Sequence, residues 1–175
     1  AIGLGRDFVI YDSADQQSAI KQALKDVNAD DKLIPPRMAL SRISQAKNQM
    51  QGPEAMAGTS SWNFRDQQIA KVYERYVAIL KESGAVDFDD LLLKTVELFD
   101  KAEHVRKRYA TQFKYISIDE YQDTNRPQYL LVQQLASVHG NLAVVGDPDQ
   151  SIYKWRGADV KNILDFERDY PNALI

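Results

Sequence analysis

The chain has 175 residues, 22 Lys+Arg against 25 Asp+Glu, a net charge of −3 and no Cys. That balance is ordinary for a globular protein and excludes a collagen-like repeat, a disulfide framework and, with no apolar run near roughly 18 residues, a membrane span. Charges at Arg6, Asp7, Asp12 and Asp15 argue against a signal peptide, and the slight acidity means that any nucleic-acid contact must be local.

Residues 2–10 read as irregular or short extended structure. Ser13 to Val27 reads as a helix, with Ser13 and Gln16 at capping-box spacing and Ile20, Ala23, Leu24 and Val27 at helical intervals. Pro35-Pro36 opens a second helix whose Met38, Ile43, Ala46 and Met50 share a face. Gln51 to Trp62 contains Gly, Pro and Ser without periodicity and reads as a surface loop. Arg65 to Lys81 predicts a third helix, striped by Ile69, Val72, Tyr73, Tyr76, Ile79 and Leu80 and stopped at Ser83-Gly84. Tyr73 and Tyr76 are read as packing groups. Asp87 caps a short helix through Leu91, Leu92 and Phe99, and His104 to Ala110 continues helical.

The texture then changes. Tyr115 to Ile118 and Leu142 to Val145 are short apolar runs, each ending in acids. Arg126 to Val138 and Asp159 to Arg168 are helical between and after them. Strand, helix, strand, helix at this spacing predicts parallel strands joined by crossover helices. The fold class is therefore α/β, with a mainly helical part over residues 1–84 and an α/β part over 85–175. The chain starts at Ala1 and ends on an apolar run that reads as a strand cut short, so it is expected to be an internal piece of a longer protein.

The chemistry gathers at the strand ends. Asp119 and Glu120 follow the first run, where open α/β sheets bind ligands. A carboxylate there suits Mg²⁺, and a neighbouring one can activate a water for attack on a phosphoryl group. The plain alternative is a pair of acids that cap a helix or face solvent. Val144 to Gln150 sets a second polar cluster at the second strand end, with Gly146 and Pro148 making a tight turn. The Gln150 amide can donate to a phosphate oxygen and accept from water. In Ser151 to Gly157, Tyr153 and Trp155 alternate with Lys154 and Arg156, a pattern suited to stacking on unpaired bases while cations meet phosphates. A core Trp with solvated cations is the alternative. His104 and His139 have no third ligand to make a zinc site. Arg106-Lys107-Arg108 reads as a solvated helix face. Lys32, Arg37, Arg42 and Lys47 could share a side where duplex DNA docks.

Two long strings carry a family resemblance. Asp119-Glu120-Tyr121-Gln122-Asp123-Thr124-Asn125 resembles the Walker B motif of superfamily 1 DNA helicases, and Val145 to Asp159 resembles their third motif. The branch is UvrD/Rep/PcrA, and Val86 to Leu92 extends the match. The resemblance implies part of a RecA-like P-loop NTPase domain, a parallel sheet with flanking helices, interrupted by a helical insertion. Residues 1–84 would resemble that insertion, subdomain 1B, and 85–175 the later part of subdomain 1A. It implies ATP and Mg²⁺ as cofactors, with Asp119 as metal ligand and Glu120 as the base that activates water. Gln150 would sense the γ-phosphate, and Tyr153, Trp155 and Arg156 would contact DNA. It also implies 3′–5′ translocation on single-stranded DNA and unwinding at single/double-strand junctions, in repair or plasmid replication. The location would be cytoplasmic, with no membrane partner.

The chain has no G-x-x-x-x-G-K-[ST] string. The phosphate-cradling loop is thus expected before Ala1 and the second RecA-like domain after Ile175, leaving this fragment inactive alone. Two other functions compete. One is a metal-dependent nuclease built on Asp119, Glu120 and Asp147, and the other is a non-catalytic module that binds single strands or a protein.

Overall fold

The computed structural model describes residues 2–59, 64–150, 162 and 166–174. It is a mixed α/β structure, mostly helical, with two small parallel sheets among the described residues. The chain divides into two compact units, residues 1–94 and 95–175.

The first unit contains β1 (Val9–Ile10), α1 (Ser13–Asp26), α2 (Pro36–Asn48), α3 (Pro53–Thr59), α4 (Phe64–Glu82), β2 (Ala85–Val86) and the start of α5 (Phe88–Lys101). Strands β1 and β2 pair in parallel, Val9 opposite Ala85 and Ile10 opposite Val86. The apolar positions of three helices meet in one core. It contains Ile20, Ala23 and Leu24 from α1, Ala39, Ile43 and Ala46 from α2, and Ile69, Val72, Tyr76 and Leu80 from α4. Spacings of three and four residues put these groups on one face of each helix. Tyr73 packs in the same core, and its hydroxyl donates to the Gln51 carbonyl.

Several local expectations are corrected. The cap of α1 is Asp12, not Ser13. Asp12 Oδ1 accepts from the amides of Ala14 at 2.7 Å and Asp15 at 2.9 Å, and Asp15 Oδ2 accepts from the Asp12 amide at 3.2 Å. Asp12 has the extended backbone of a cap, φ −74° and ψ −177°, whereas Ser13 is already the first helical residue. Met50 lies past the end of α2, with φ of 60°, and is exposed rather than on the buried face. The segment read as a loop after Gln51 holds α3. Pro53 presets its first turn, and Met56 is buried in the core. Gly84 ends the α4 region in the left-handed conformation, φ 59°, its amide donating to the Lys81 carbonyl.

Lys47 is the largest correction in this unit. It is 1% exposed, not part of a basic docking face. Its Nζ donates to Asp87 Oδ2 at 2.6 Å and Asp90 Oδ1 at 2.8 Å, while the Tyr76 hydroxyl donates to Asp87 Oδ2 at 3.0 Å. Buried carboxylates demand a cation, and Lys47 supplies it. Arg42, of the same set, pairs with Asp66 at 3.0 Å. These ties, with the β1–β2 pairing, carry the first compact unit to Lys94, past the 84/85 boundary read from the sequence. Asp87 Oδ1 also accepts from the Asp90 amide at 2.9 Å, which fixes the start of α5.

The second unit contains the end of α5, α6 (Glu103–Gln112), β3 (Ile116–Ile118), α7 (Arg126–Ala136), β4 (Leu142–Val144) and α8 (Phe166–Asp169). Short 3-10 turns follow each strand, at Tyr121–Asp123 and Pro148–Gln150. β3 and β4 pair in parallel, Ile116 with Leu142, Ser117 with Ala143 and Ile118 with Val144. A parallel pair requires a crossover, and α7 supplies it. Asn125 and Gln128 form the capping box of α7. The two histidines are exposed, and the His139 ring lies 3.0 Å from the Thr111 carbonyl. In the basic cluster, Lys107 pairs with Glu103 one turn earlier, at 3.0 Å. Among the described residues, no helix is long and apolar enough to cross a membrane.

Candidate functional site

β3 and β4 run the same way, so their carboxyl ends open on one edge. The ladder continues one step beyond β4. The Val145 amide donates to the Ile118 carbonyl at 2.8 Å, and the Tyr121 amide donates to the Val145 carbonyl at 2.9 Å. This holds the segment after Asp119-Glu120 against the segment before Gly146-Asp147.

Asp119 is exposed, and its Oδ1 accepts from the Glu120 amide at 2.9 Å. Glu120 has φ of 52° and ψ of 42°. A left-handed glutamate stores strain that the surrounding hydrogen bonds must hold in place. The kink turns the chain from β3 into the 3-10 turn. A shallow cleft beside it is lined by Ile118, Asp119, Glu120, Asp123, Thr124 and Gln128. Asp123 Oδ1 is buried without a hydrogen-bond partner among the described residues.

The second strand end folds over Asp147. Its Oδ1 accepts from the Asp149 amide at 2.9 Å, and its Oδ2 accepts from Gln150 Nε2 at 2.7 Å. Gln150 is exposed on this turn.

One residue joins the two ends. Gln122 is wholly buried. Its Nε2 donates to Glu120 Oε2 at 2.7 Å, and its Oε1 accepts from the Asp147 amide at 3.0 Å. Sequence reading quoted Gln122 within a motif string and gave it no role. Its place two residues after a glutamate at a strand end was a signal, but burial and partner become visible only in three dimensions.

The structure therefore brings Asp119, Glu120, Asp147 and Gln150 to one edge. Tyr153, Trp155 and Arg156 lie outside the described residues. Most of the helix expected over Asp159–Arg168 does as well, apart from Asn162 and α8. Buried Asn162 donates to the Thr124 carbonyl and hydroxyl, both at 3.0 Å.

A family profile, the UvrD/REP helicase N-terminal domain, matches residues 1–171. The chain belongs to this family. It is 51% identical, over 99% of its length, to the ATP-dependent DNA helicase PcrA of Bacillus subtilis. It is 49% identical, over 98% of its length, to the proteins of the same name from Staphylococcus aureus and Staphylococcus epidermidis. The chain spans 23 to 24% of the length of these relatives. In this chain Asp119, Glu120, Asp147 and Gln150 follow the carboxyl ends of the paired strands β3 and β4.

The donor set fits a hydrated Mg²⁺ better than a chelated metal. Asp119 offers an exposed carboxylate, and the cleft beside it holds the unpartnered Asp123 Oδ1. Mg²⁺ keeps several waters and takes one or two carboxylates. Among the described residues no group of three or more His, Cys, Asp or Glu is placed to hold a metal.

Proposed function

We propose that this chain is a segment of an ATP-dependent DNA helicase that moves 3′ to 5′ on single-stranded DNA and opens duplex at single/double-strand junctions. The observation that carries the reading is the shared edge of β3 and β4, where Glu120 and Asp147 are joined through Gln122. The names of the relatives point the same way.

In this reading residues 85–175 are the later part of a RecA-like subdomain 1A, and residues 1–84 are a 1B-type insertion. Asp119 would hold Mg²⁺, which when bound would supply positive charge against the nucleotide phosphates. Glu120 orients a water and takes its proton, a role open to an exposed carboxylate fixed by a buried amide. Gln150 presents an amide to the γ-phosphate from a turn that Asp147 stiffens. Tyr153 and Trp155 give stacking faces to unpaired bases, and Arg156 meets the backbone. Stacking ignores base identity, so the activity is sequence-tolerant. Further segments of the same protein supply the phosphate loop and the second RecA-like domain. The same reading makes the protein cytoplasmic and places it in DNA repair or plasmid replication.

The test is ATP hydrolysis by the full-length protein with and without single-stranded DNA. DNA-stimulated turnover that falls by on the order of 10²–10⁴ in Glu120→Gln, with ATP still bound, is the expected result. Turnover indifferent to both DNA and Glu120→Gln would overturn the reading. The isolated 175-residue chain is expected to show none.

A further inference from the structure

We infer that Gln122 is a positioning residue that ties the carboxylate of Glu120 to the turn bearing Gln150. The inference rests on the ATPase reading of this edge and adds a residue to it.

The chemistry of the two ends dictates the bridging group. An ionised Glu120 carboxylate can only accept, and the Asp147 amide can only donate. A side chain spanning them needs a donor and an acceptor a fixed distance apart, which a primary amide provides. Gln122 meets both needs, at 2.7 Å and 3.0 Å, and is wholly out of water. Burial makes the arrangement stiff, because swinging either end away leaves an unsatisfied polar group in the interior. The chain of contacts does not stop at Asp147. Its Oδ2 holds Gln150 Nε2, and the Gln150 amide donates back to the Asp147 carbonyl at 3.0 Å. A displacement of the Gln150 turn therefore reaches Glu120 through one side chain. The left-handed backbone of Glu120 is held by its own amide donating to Asp119 Oδ1 and its carbonyl accepting from the Asp123 amide, while Gln122 holds its side chain.

The test uses the full-length protein and three variants. Gln122→Met keeps the length and removes both hydrogen bonds. Gln122→Glu keeps an acceptor for the Asp147 amide and removes the donor to Glu120. Gln150→Ala removes the far end of the chain of contacts.

Both Gln122 variants are expected to lower kcat for DNA-stimulated ATP hydrolysis by about tenfold or more while KM for ATP stays within about twofold, the pattern of an interaction made only in the transition state. In Gln122→Glu, hydrogen exchange at the Asp147 amide stays slow, which separates the loss at Glu120 from any loosening of the fold. In the Gln150→Ala background, Gln122→Met is expected to cost far less than it does alone, because both act through one connection. Wild-type kcat in Gln122→Glu, or strictly additive effects in the double variant, would overturn the inference. If Gln122→Met does not fold, the Gln122→Glu and Gln150→Ala pair gives the same cycle. Absence of DNA-stimulated turnover in the unsubstituted protein would instead strike the proposed function, and with it this role.

Discussion

Lys47 Nζ sits 2.6 Å from Asp87 Oδ2, with both side chains almost wholly excluded from water. The pair joins the end of α2 to the start of α5, and Asp90 at 2.8 Å and the Tyr76 hydroxyl complete it. Burial raises the carboxyl pKa of Asp90, and the Lys47 cation opposes that rise.

Removing the cation leaves buried carboxylates uncompensated. Lys47→Met is expected to destabilise the protein by about 3–5 kcal/mol, read from urea denaturation at neutral pH. The sign of its pH dependence follows. Without Lys47 the folded-state carboxyl of Asp90, raised by burial, binds its proton more tightly than in the unfolded chain. Stability of the variant therefore rises as pH falls through that raised value, and the deficit against the parent narrows. A deficit that stays constant down to acid pH would show that Lys47 matters for packing alone.

Asp12 behaves in the opposite sense. The amides of Asp15 and Ala14 hold its carboxyl below the usual 3.8. Its contribution to α1 is thus fully present above that value and is lost as pH falls through the lowered one. In Asp12→Asn the cap is retained without a titrating group. Helix content followed by circular dichroism is expected to fall in acid less steeply in Asp12→Asn than in the parent.

Gly84 can be tested for backbone strain apart from crowding. A Cβ there would meet nothing within 4 Å, yet φ is 59°. Gly84→Ala is expected to cost about 1–2 kcal/mol in denaturant unfolding. Gly84→Asn is expected to cost less, since asparagine tolerates the left-handed region.

Asp119→Asn addresses the metal. In the full-length protein it is expected to raise the Mg²⁺ concentration needed for half-maximal ATP hydrolysis. Affinity for single-stranded DNA without nucleotide should stay near the parent's. An unchanged Mg²⁺ requirement would remove Asp119 from the metal's surroundings.

The strand ends were legible in the sequence because short apolar runs that stop at acids have few other meanings. The crossover helix was legible too, since Asn125, Pro127 and Gln128 mark its start. Less was visible where tertiary context decides. The Gly- and Pro-containing stretch after Gln51 became α3 because Met56 found a core to enter. Lys47 looked like a surface cation because spacing cannot reveal two acids contributed by residues some forty positions away. Gln122 was legible only by its place after Glu120, for a similar reason: its second partner is an amide proton from the turn after β4.

The pairing of Val9 with Ala85 has a consequence for how the chain is made. Synthesis delivers Val9 and Ile10 long before their partner strand exists. Until α1 to α4 have formed and brought Ala85 and Val86 alongside, the nascent polypeptide presents an unpaired apolar edge. Closing so distant a contact is slow compared with forming helices, because the loop entropy must be overcome first. The order of events is then imposed by connectivity: helices early, strand pairing late, and a window between them in which another extended segment competes for the backbone of Val9 and Ile10.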